Sequence, residues 1–358
     1  MDVFDRIGAD DYEQVVFCHD RATGLRAIVA VHSTRLGPAL GGTRFYPYPS
    51  EADGLEDVLR LARGMTYKAA AAGLDLGGGK AVIFGDPTRD KSEARMRAYA
   101  RYVDSLGGRY LTAEDVGTTQ DDMDLIRRET RFVTGVSPEL GGSGDPSAAT
   151  AYGVLWAMKA VALRLWGDTS LAGRHVAVAG VGKVGSALLR DLLDEGAGVT
   201  VADVTPASVD RAVAEGAEAV GVEKIHAVEC DIYSPCALGG SLSAETIPEL
   251  RCAAVVGSAN NQLADGVASA RLLADAGVLY APDFVVNAGG LINIAEELAP
   301  GGYKPDRARA AVQRIFDTVT SVLQAAEVDG VTTAEAADRR AEDRIAALSA
   351  VHQIRTPA

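Results

Sequence analysis

The hexapeptide GVGKVG, Gly180 to Gly185, constrains this chain more than any other stretch. It follows the apolar run HVAVA and precedes SALLRDLLDEG, whose apolar spacing is helical. Asp203 closes the next apolar run, VTVAD. Strand, glycine turn, helix, strand and acid, in that order, make a dinucleotide-binding βαβ unit. Gly180 permits the tight turn, Gly182 lets the backbone approach a pyrophosphate, and Gly185 lets the helix lie close on its strand. Val181, Lys183 and Val184 complete the turn, and the phosphates meet the positive end of the helix. A lone GxGxxG also occurs as a turn in ordinary α/β domains, but Asp203 argues against that reading. Its carboxylate accepts hydrogen bonds from a ribose diol and repels a ribose phosphate, which favours NAD over NADP.

Around this unit the chain divides near residue 145. QVVFCHD (14 to 20) and RAIVAVH (26 to 32) predict two strands joined by RATG. LGPALGGTRF predicts a glycine-rich loop, and residues 51 to 72 one long helix with an alanine-rich buried end. Gly77, Gly78 and Gly79 precede the strand AVIFGD. SEARMRAYARYVDSLG predicts a helix, RYLTAEDVG a short strand and polar loop, and FVTGVS a further strand. GGSGDPSAAT then has the composition of an interdomain hinge. Beyond it come the helix AYGVLWAMKAVALRLWG, the βαβ unit, the strands AAVVGSA and VLYAPDF, and the helix DGVASARLLADAG, together predicting a doubly wound parallel sheet. From Asp306 to Ser349 the pattern is helical apart from DGVTT, and QIRTPA is expected to fray.

Composition bears on partners. The 358 residues suffice for two domains, and 47% hydrophobic with 23% charged residues fits a folded enzyme. A net charge of −14 gives no support to nucleic-acid or membrane-headgroup binding. No apolar run has the length a bilayer demands, and the acidic start MDVFDRIGADDYEQ does not read as a signal peptide, so a cytoplasmic location is expected. Cys18, Cys230, Cys236 and Cys252 form no CxxC pair and read as buried free thiols. His19, His32, His175, His226 and His352 show no metal-binding spacing, so no metal is expected. His32 ends a β-like run within reach of a site, although packing or surface exposure is its plainer role.

The chemistry concentrates before the hinge. Lys68 lies in MTYKAAAAG and Lys80 directly follows three glycines in LDLGGGKAVI. Lysine is rarely buried without a partner, yet both stand in the most apolar, glycine-rich part of the domain. The glycines permit close approach, as they would beneath a ligand. GGGK is not a P-loop: the GxxxxGK[ST] spacing is missing and Ala81 stands where the hydroxyl belongs. The plainer alternatives are a helix-end charge for Lys68 and a turn lysine for Lys80. TAEDVGTT supplies Glu114 and Asp115, either a cap or turn residue or an acid balancing Lys80 and sharing its proton transfers. Asn260, Asn261 and Asn287 follow the carboxyl ends of expected strands, where cofactors meet a parallel sheet, although each would equally cap a helix.

These segments together resemble the glutamate/leucine/phenylalanine/valine dehydrogenase family, closest to its branched-chain amino-acid members. The resemblance runs in order through YEQVVFCHD, LGPALGGTR, LARGMTYKAAAAGLDLGGGK, TAEDVGTTQDDMD, GVGKVG, CDIYSPCALGG, GSANNQL and APDFVVNAGG, almost the whole chain. It implies two α/β domains with a cleft between them: a substrate, catalytic and oligomerisation domain over residues 1–145 and a Rossmann-type NAD domain over 146–325. A carboxyl-terminal helical segment, 326–358, is expected to pack back toward the first domain. Lys68 would hold the substrate α-carboxylate, and Lys80 would be the catalytic lysine with Asp115 as its partner. Gly41, Gly42 and Met65 would shape the amino-acid site, Gly77 and Gly78 would let substrate come close, and Thr150, Asn261 and Asn287 would place cofactor or substrate. A homo-oligomer of at least two chains follows from the same resemblance.

The implied reaction is NAD-dependent oxidative deamination of an L-amino acid to a 2-oxo acid, ammonia and NADH, reversible as reductive amination. Leu40, Ala113, Leu291 and Ile294 match the family's side-chain pocket; the plainer alternative is ordinary core packing. None is charged, which disfavours glutamate as substrate. Leu291 and Ile294 stand where similar leucine dehydrogenases often carry valine, and the extra methylenes would shorten the pocket toward valine, with leucine and isoleucine next and phenylalanine as the alternative. A non-catalytic NAD-binding homologue is the other reading, and retention of Lys68, Lys80 and Asp115 argues against it.

Overall fold

The computed structural model describes residues 3–351; His352 and the terminal QIRTPA lie outside the described residues. The chain forms two compact units. The first takes in the residues up to Asp145, the segment Ile294–Pro305 and the chain from Ala341; the second takes in Pro146–Asn293 and Asp306–Arg340.

The first unit opens with helix α1 (Val3–Ala9), then strands β1 (Gln14–Asp20), β2 (Leu25–Ser33) and β3 (Ala39–Tyr46). Helix α2 (Glu51–Ala71), strand β4 (Gly77–Phe84), helix α3 (Glu93–Ser105), strand β5 (Tyr110–Glu114) and helix α4 (Gln120–Arg127) follow. Among the described residues these strands form one sheet in the order β1-β2-β4-β3-β5. β1 and β2 form an antiparallel hairpin, with Phe17 opposite Ile28, while β3 runs parallel to both β4 and β5. β1 is thus an edge strand, and its Phe17 is 57% exposed.

Of the expected loop LGPALGGTRF only Leu36 to Pro38 lie outside regular structure; Ala39 to Phe45 belong to the buried strand β3. Glycine signals a loop because it lowers strand propensity, but it also lets backbones meet closely. Here the second effect wins: a Cβ on Gly42 would come within 2.5 Å of the Glu114 carbonyl oxygen and 2.8 Å of the Asp115 Cβ. The three glycines before Lys80 likewise belong to β4 itself. FVTGVS is not a strand but touches the sheet by an isolated bridge between Val133 and Thr112. The loop beyond is held by the Glu297 carboxylate, which accepts the Gly135 N–H at 2.9 Å, the Ser143 N–H at 2.8 Å and the Ser143 hydroxyl at 2.6 Å.

Helix α2 starts at Ser50, whose hydroxyl accepts the Asp53 N–H. Its Leu55, Val58, Leu59 and Ala62 face Ile28, Ala30 and Val82 of the sheet. The other sheet face packs Val29, Ala81 and Ile83 against Met96, Tyr99 and Val103 of α3. Alternation along β2 and β4 sends successive residues to these two cores.

The second unit begins with helix α5 (Ser147–Trp166), then strand β6 (His175–Ala179), helix α6 (Lys183–Asp194), strand β7 (Gly198–Ala202), helix α7 (Pro206–Glu215) and the short strand β8 (Glu218–Ala219). Strands β9 (Ile232–Pro235) and β10 (Ala254–Val255), helix α8 (Gly266–Asp275) and strand β11 (Leu279–Tyr280) complete the sheet. All its pairings are parallel, in the order β11-β10-β9-β6-β7-β8. β6 and β9 lie side by side although β7 and β8 intervene in the chain. That reversal is the topological switch point of a doubly wound sheet, and ligands bind at the carboxyl ends of the strands there.

Helices α9 (Asp283–Val286), α10 (Gly289–Ala295), α11 (Pro305–Gln313), α12 (Ile315–Asp329) and α13 (Thr333–Val351) follow. The expected division at residue 325 falls inside α12, and the change of unit comes within α13, between Arg340 and Ala341. A helical repeat shows that a face is buried, not which core it joins, so sequence pattern could not place this boundary. From Ala341 onward the helix serves the first unit: Ala341, Ile345 and Leu348 pack with Leu36 and Ala70, and Arg344 pairs with Asp75 at 2.7 Å.

Candidate active site

The first unit gathers its reactive groups on the sheet face that α2 covers. Leu40 pairs with Gly78 and Thr43 with Ala81, so Gly42 and Lys80 lie side by side. Gly42 also pairs with Ala113 of β5. Alternation then puts Leu40, Gly42, Arg44, Gly78, Lys80 and Ala113 on one face. The same face meets α2, because a Cβ on Gly78 would stand 2.1 Å from the Thr66 nitrogen. Met65 and Lys68 belong to that end of α2, Lys68 half-buried in its last turn.

Lys80 is 7% exposed, and its Nζ lies 2.5 Å from Asp115 Oδ2. Of the two acids expected near it, Asp115 makes this ion pair. The absence of a side chain at Gly42 leaves room for Asp115, and the turn beyond β5 fixes it. Its N–H donates to the Thr118 hydroxyl at 2.9 Å, and that hydroxyl donates to the Thr43 carbonyl at 2.9 Å. Burial alone pushes the Asp115 carboxyl up, but Lys80 and then Arg44 outweigh it and hold it below the usual carboxylate range.

Arg44 was not among the residues singled out from sequence. Its Nε stands 3.6 Å from Asp115 Oδ2, while its Nη1 is 2.8 Å from Asp57, which also accepts the Tyr48 hydroxyl at 2.6 Å. Asp115 therefore sits between two cations. The signal lay in the strand period: Arg44 is two residues beyond Gly42 and must share its face.

On the side a Cβ would occupy, Gly77 and Gly78 face protein rather than open space: the Ser33 carbonyl oxygen at 1.9 Å and the Thr66 turn of α2. Gly41 likewise faces the Gly79 carbonyl oxygen at 1.7 Å. Close contact within the fold therefore accounts for glycine at these positions. Leu40 and Ala113 are buried in the sheet; Leu291 and Ile294 are buried one turn apart on α10.

In the second unit GVGKVG joins β6 to α6. Gly180 has φ of 101°, a backbone that side-chain-bearing residues rarely adopt, and a Cβ on Gly185 would stand 1.9 Å from the Gly180 carbonyl oxygen. Gly182 is the N-cap of α6 without a side-chain cap, and a Cβ there would meet nothing within 4 Å. The turn thus presents backbone N–H groups to open space beside the positive end of a helix, with Val181 buried beneath and Lys183 and Val184 in the first turn.

Asp203 follows β7 and ties to that turn: Oδ2 accepts the Val181 N–H at 2.8 Å and Oδ1 the Thr205 N–H at 2.8 Å. A cavity of about 330 Å³ opens alongside, lined by Gly180, Asp203, Val222, Ile225, Tyr233 and Leu238 among others. Asn287 Nδ2 donates to Asn260 Oδ1 at 2.9 Å and to the Ser258 carbonyl at 3.1 Å, whereas its buried Oδ1 has no hydrogen-bond partner among the described residues. Asn261 takes a positive φ of 52° after β10, and the Thr150 hydroxyl bonds the Pro146 carbonyl on α5. The uncapped glycine turn, the acid beside it and the orphaned Asn287 oxygen fit a dinucleotide.

Comparison with known proteins accords with both units. The model of the Glu/Leu/Phe/Val dehydrogenase dimerisation domain matches residues 12–132, and that of the Glutamate/Leucine/Phenylalanine/Valine dehydrogenase domain matches 141–212 and 203–353. The chain belongs to the Glu/Leu/Phe/Val dehydrogenase family. It is an NAD-dependent amino-acid dehydrogenase.

Among relatives, a leucine dehydrogenase of Bacillus cereus is 54% identical over 97% of this chain and 94% of that protein. A valine dehydrogenase of Streptomyces virginiae is also 54% identical, over 93% of this chain and 94% of its own. The crystal structure of L-tryptophan dehydrogenase from Nostoc punctiforme superposes with a TM-score of 0.83 at 42% identity, covering 97% of this chain and 99% of that one. The dehydrogenase oxidatively deaminates branched-chain or related amino acids to 2-oxo acids. Among its described residues no helix is long and apolar enough to cross a membrane.

Proposed function

We propose that this dehydrogenase acts on small branched-chain L-amino acids, valine foremost, with leucine and isoleucine as further substrates. The observation that carries the reading is the sheet face itself. Lys80 and Asp115 form a charged pair on it at 2.5 Å, and the adjoining Leu40 and Ala113 are buried and uncharged. Leu40 and Ala113 offer an acidic side chain no partner, and Lys80 and Arg44 are already engaged by Asp115 and Asp57. The family resemblance assigns Leu291 and Ile294 to the side-chain pocket, and their bulk would favour a short side chain. The high identity to proteins named leucine and valine dehydrogenases supports the same class. The likeness to an L-tryptophan dehydrogenase supports a second reading, a pocket deep enough for aromatic substrates such as phenylalanine.

In this reading Lys68 binds the substrate carboxylate and Lys80 receives the proton of the attacking water, with Asp115 holding Lys80 in place and sharing the proton. NAD, when bound, accepts the hydride from the substrate α-carbon. Loss of that hydride from the carbon bearing the neutral amine leaves an iminium. Water adds at its carbon, giving one proton to Lys80. As Lys80 returns that proton to the nitrogen ammonia departs, the remaining hydroxyl proton passing to Lys80 as the 2-oxo acid forms. Gly180 to Gly185 and Asp203 hold the cofactor, while Asn260, Asn261, Asn287 and Thr150 orient cofactor or substrate. Two chains pair through the β1 edge, and the free cysteines suit a reducing cytoplasm.

The test is kcat/KM with NAD for valine, isoleucine, leucine, 2-aminobutyrate, phenylalanine, tryptophan and glutamate. Valine in the lead is expected. A lead for leucine overturns the size argument alone, and a lead for an aromatic substrate favours the second reading.

A further inference from the structure

We propose that His32 is a positioning residue, which through Thr66 sets the turn of α2 bearing Lys68 against the strand bearing Lys80. The pairing of β2 with β4 slips at this point: Val31 faces Gly79 and Ser33 faces Gly78, so His32 is the extra residue of a β-bulge. By alternation His32 shares the α2 face with Ile28 and Ala30, and the slip that follows Val31 leaves its imidazole without a partner residue on β4, with Nδ1 2.8 Å from the Thr66 hydroxyl oxygen.

The direction of that hydrogen bond follows from the other ring nitrogen. Nε2 lies 3.2 Å from the Asp10 carbonyl, which only accepts, so Nε2 carries the proton. Burial and then the nearby Arg63 guanidinium disfavour a second proton on the ring, and the Tyr12 ring packs edge-on at 4.9 Å. Nδ1 therefore accepts the Thr66 O–H.

The Thr66 hydroxyl is not a neutral place to interfere. Thr66 is 1% exposed and sits two residues before Lys68, and its Oγ1 and N stand where a Cβ on Gly78 would be, within 2.2 Å. A threonine within a helix otherwise turns its hydroxyl back to the carbonyl four residues earlier, here Ala62, and bends the helix. Ala62 O is also 2.6 Å from that Gly78 position. By drawing the hydroxyl outward, His32 keeps the helix straight where it rests on Gly78, two residues from Lys80. The inference rests on the reading that Lys68 holds the substrate carboxylate.

The experiment compares full-length H32F, H32A, H32N and K68A. H32F fills the space without an acceptor, whereas the amide oxygen of H32N takes the place of Nδ1. H32F is expected to raise the amino-acid KM by about 5–10-fold, the loss of one hydrogen bond, with NADH affinity and melting temperature nearly unchanged. H32N is expected to recover most of that loss. Added imidazole is expected to improve H32A, because a cavity of about 310 Å³ lined by His32, Arg63 and Thr66 gives it entry. Wild-type KM in H32F beside a defective K68A would overturn the role of His32 alone, as would a KM defect that H32N leaves in full. Unaltered amino-acid binding in K68A would overturn the carboxylate reading and the inference with it.

Discussion

The Val181 N–H donates to Asp203 Oδ2 at 2.8 Å, so the acid ending β7 is bonded to the glycine turn ending β6. One carboxylate thus both braces the turn and faces the neighbouring cavity. Asp203→Ala is expected to lower the ratio of kcat/KM with NAD to that with NADP by about tenfold or more, from loss of hydrogen bonds to a charged acceptor. Steady-state kinetics with both cofactors decides it; an unchanged ratio would leave Asp203 a brace only.

The two lysines are expected to fail differently. Lys68→Ala should raise the amino-acid KM and leave NADH affinity intact. Lys80→Ala should lower kcat by about 10²–10⁴-fold, the usual contribution of a positioned acid–base group. The double variant should lose less than the product of the two, because both serve one transition state. Initial rates and NADH fluorescence titration separate these outcomes, and near-normal kcat in the Lys80 variant would refute its role.

Asp115→Asn leaves Lys80 and Arg44 facing a neutral amide. A loss of about 3–5 kcal/mol is expected, as when one partner of a buried ion pair is removed. The pH dependence has a defined sign. The folded carboxyl titrates below its ordinary value of about 3.9, so its contribution is complete above that value and is lost as pH falls through the folded one. Urea unfolding from pH 7 down to pH 3 should show a steeper acid decline in the parent than in Asp115→Asn.

Phe17 on the β1 edge offers a test of assembly. An exposed apolar edge strand invites pairing with another chain. Phe17→Lys is expected to shift the species measured by light scattering at micromolar concentration toward monomer. A parent protein that is already monomeric would remove the proposal.

Much of this was legible beforehand, for reasons that differ by residue. GVGKVG and Asp203 announce themselves because a βαβ turn is local in sequence. Lys80 and its acid were legible as candidates: the residue pattern left Glu114 and Asp115 both open, the family resemblance singled out Asp115, and the ion pair follows from the turn that ends β5 beside β3. Arg44 was overlooked with its strand, since Gly41 and Gly42 imitate a loop when the strand they relieve of crowding is not yet known. The Gly135 to Ser143 loop depends on Glu297, more than 150 residues away, and no local pattern encodes that partner.

The last turns of α13, through Ala341, Arg344, Ile345 and Leu348, complete the core around Leu36 and Ala70. The first unit therefore cannot be finished until Ala341 and the turns of α13 after it have left the ribosome. Domains generally fold in order of synthesis, and here the order is inverted for one face of the first. Nascent chains stalled before Ala341 are expected to be cut by protease within the first 145 residues, and full-length chains to resist.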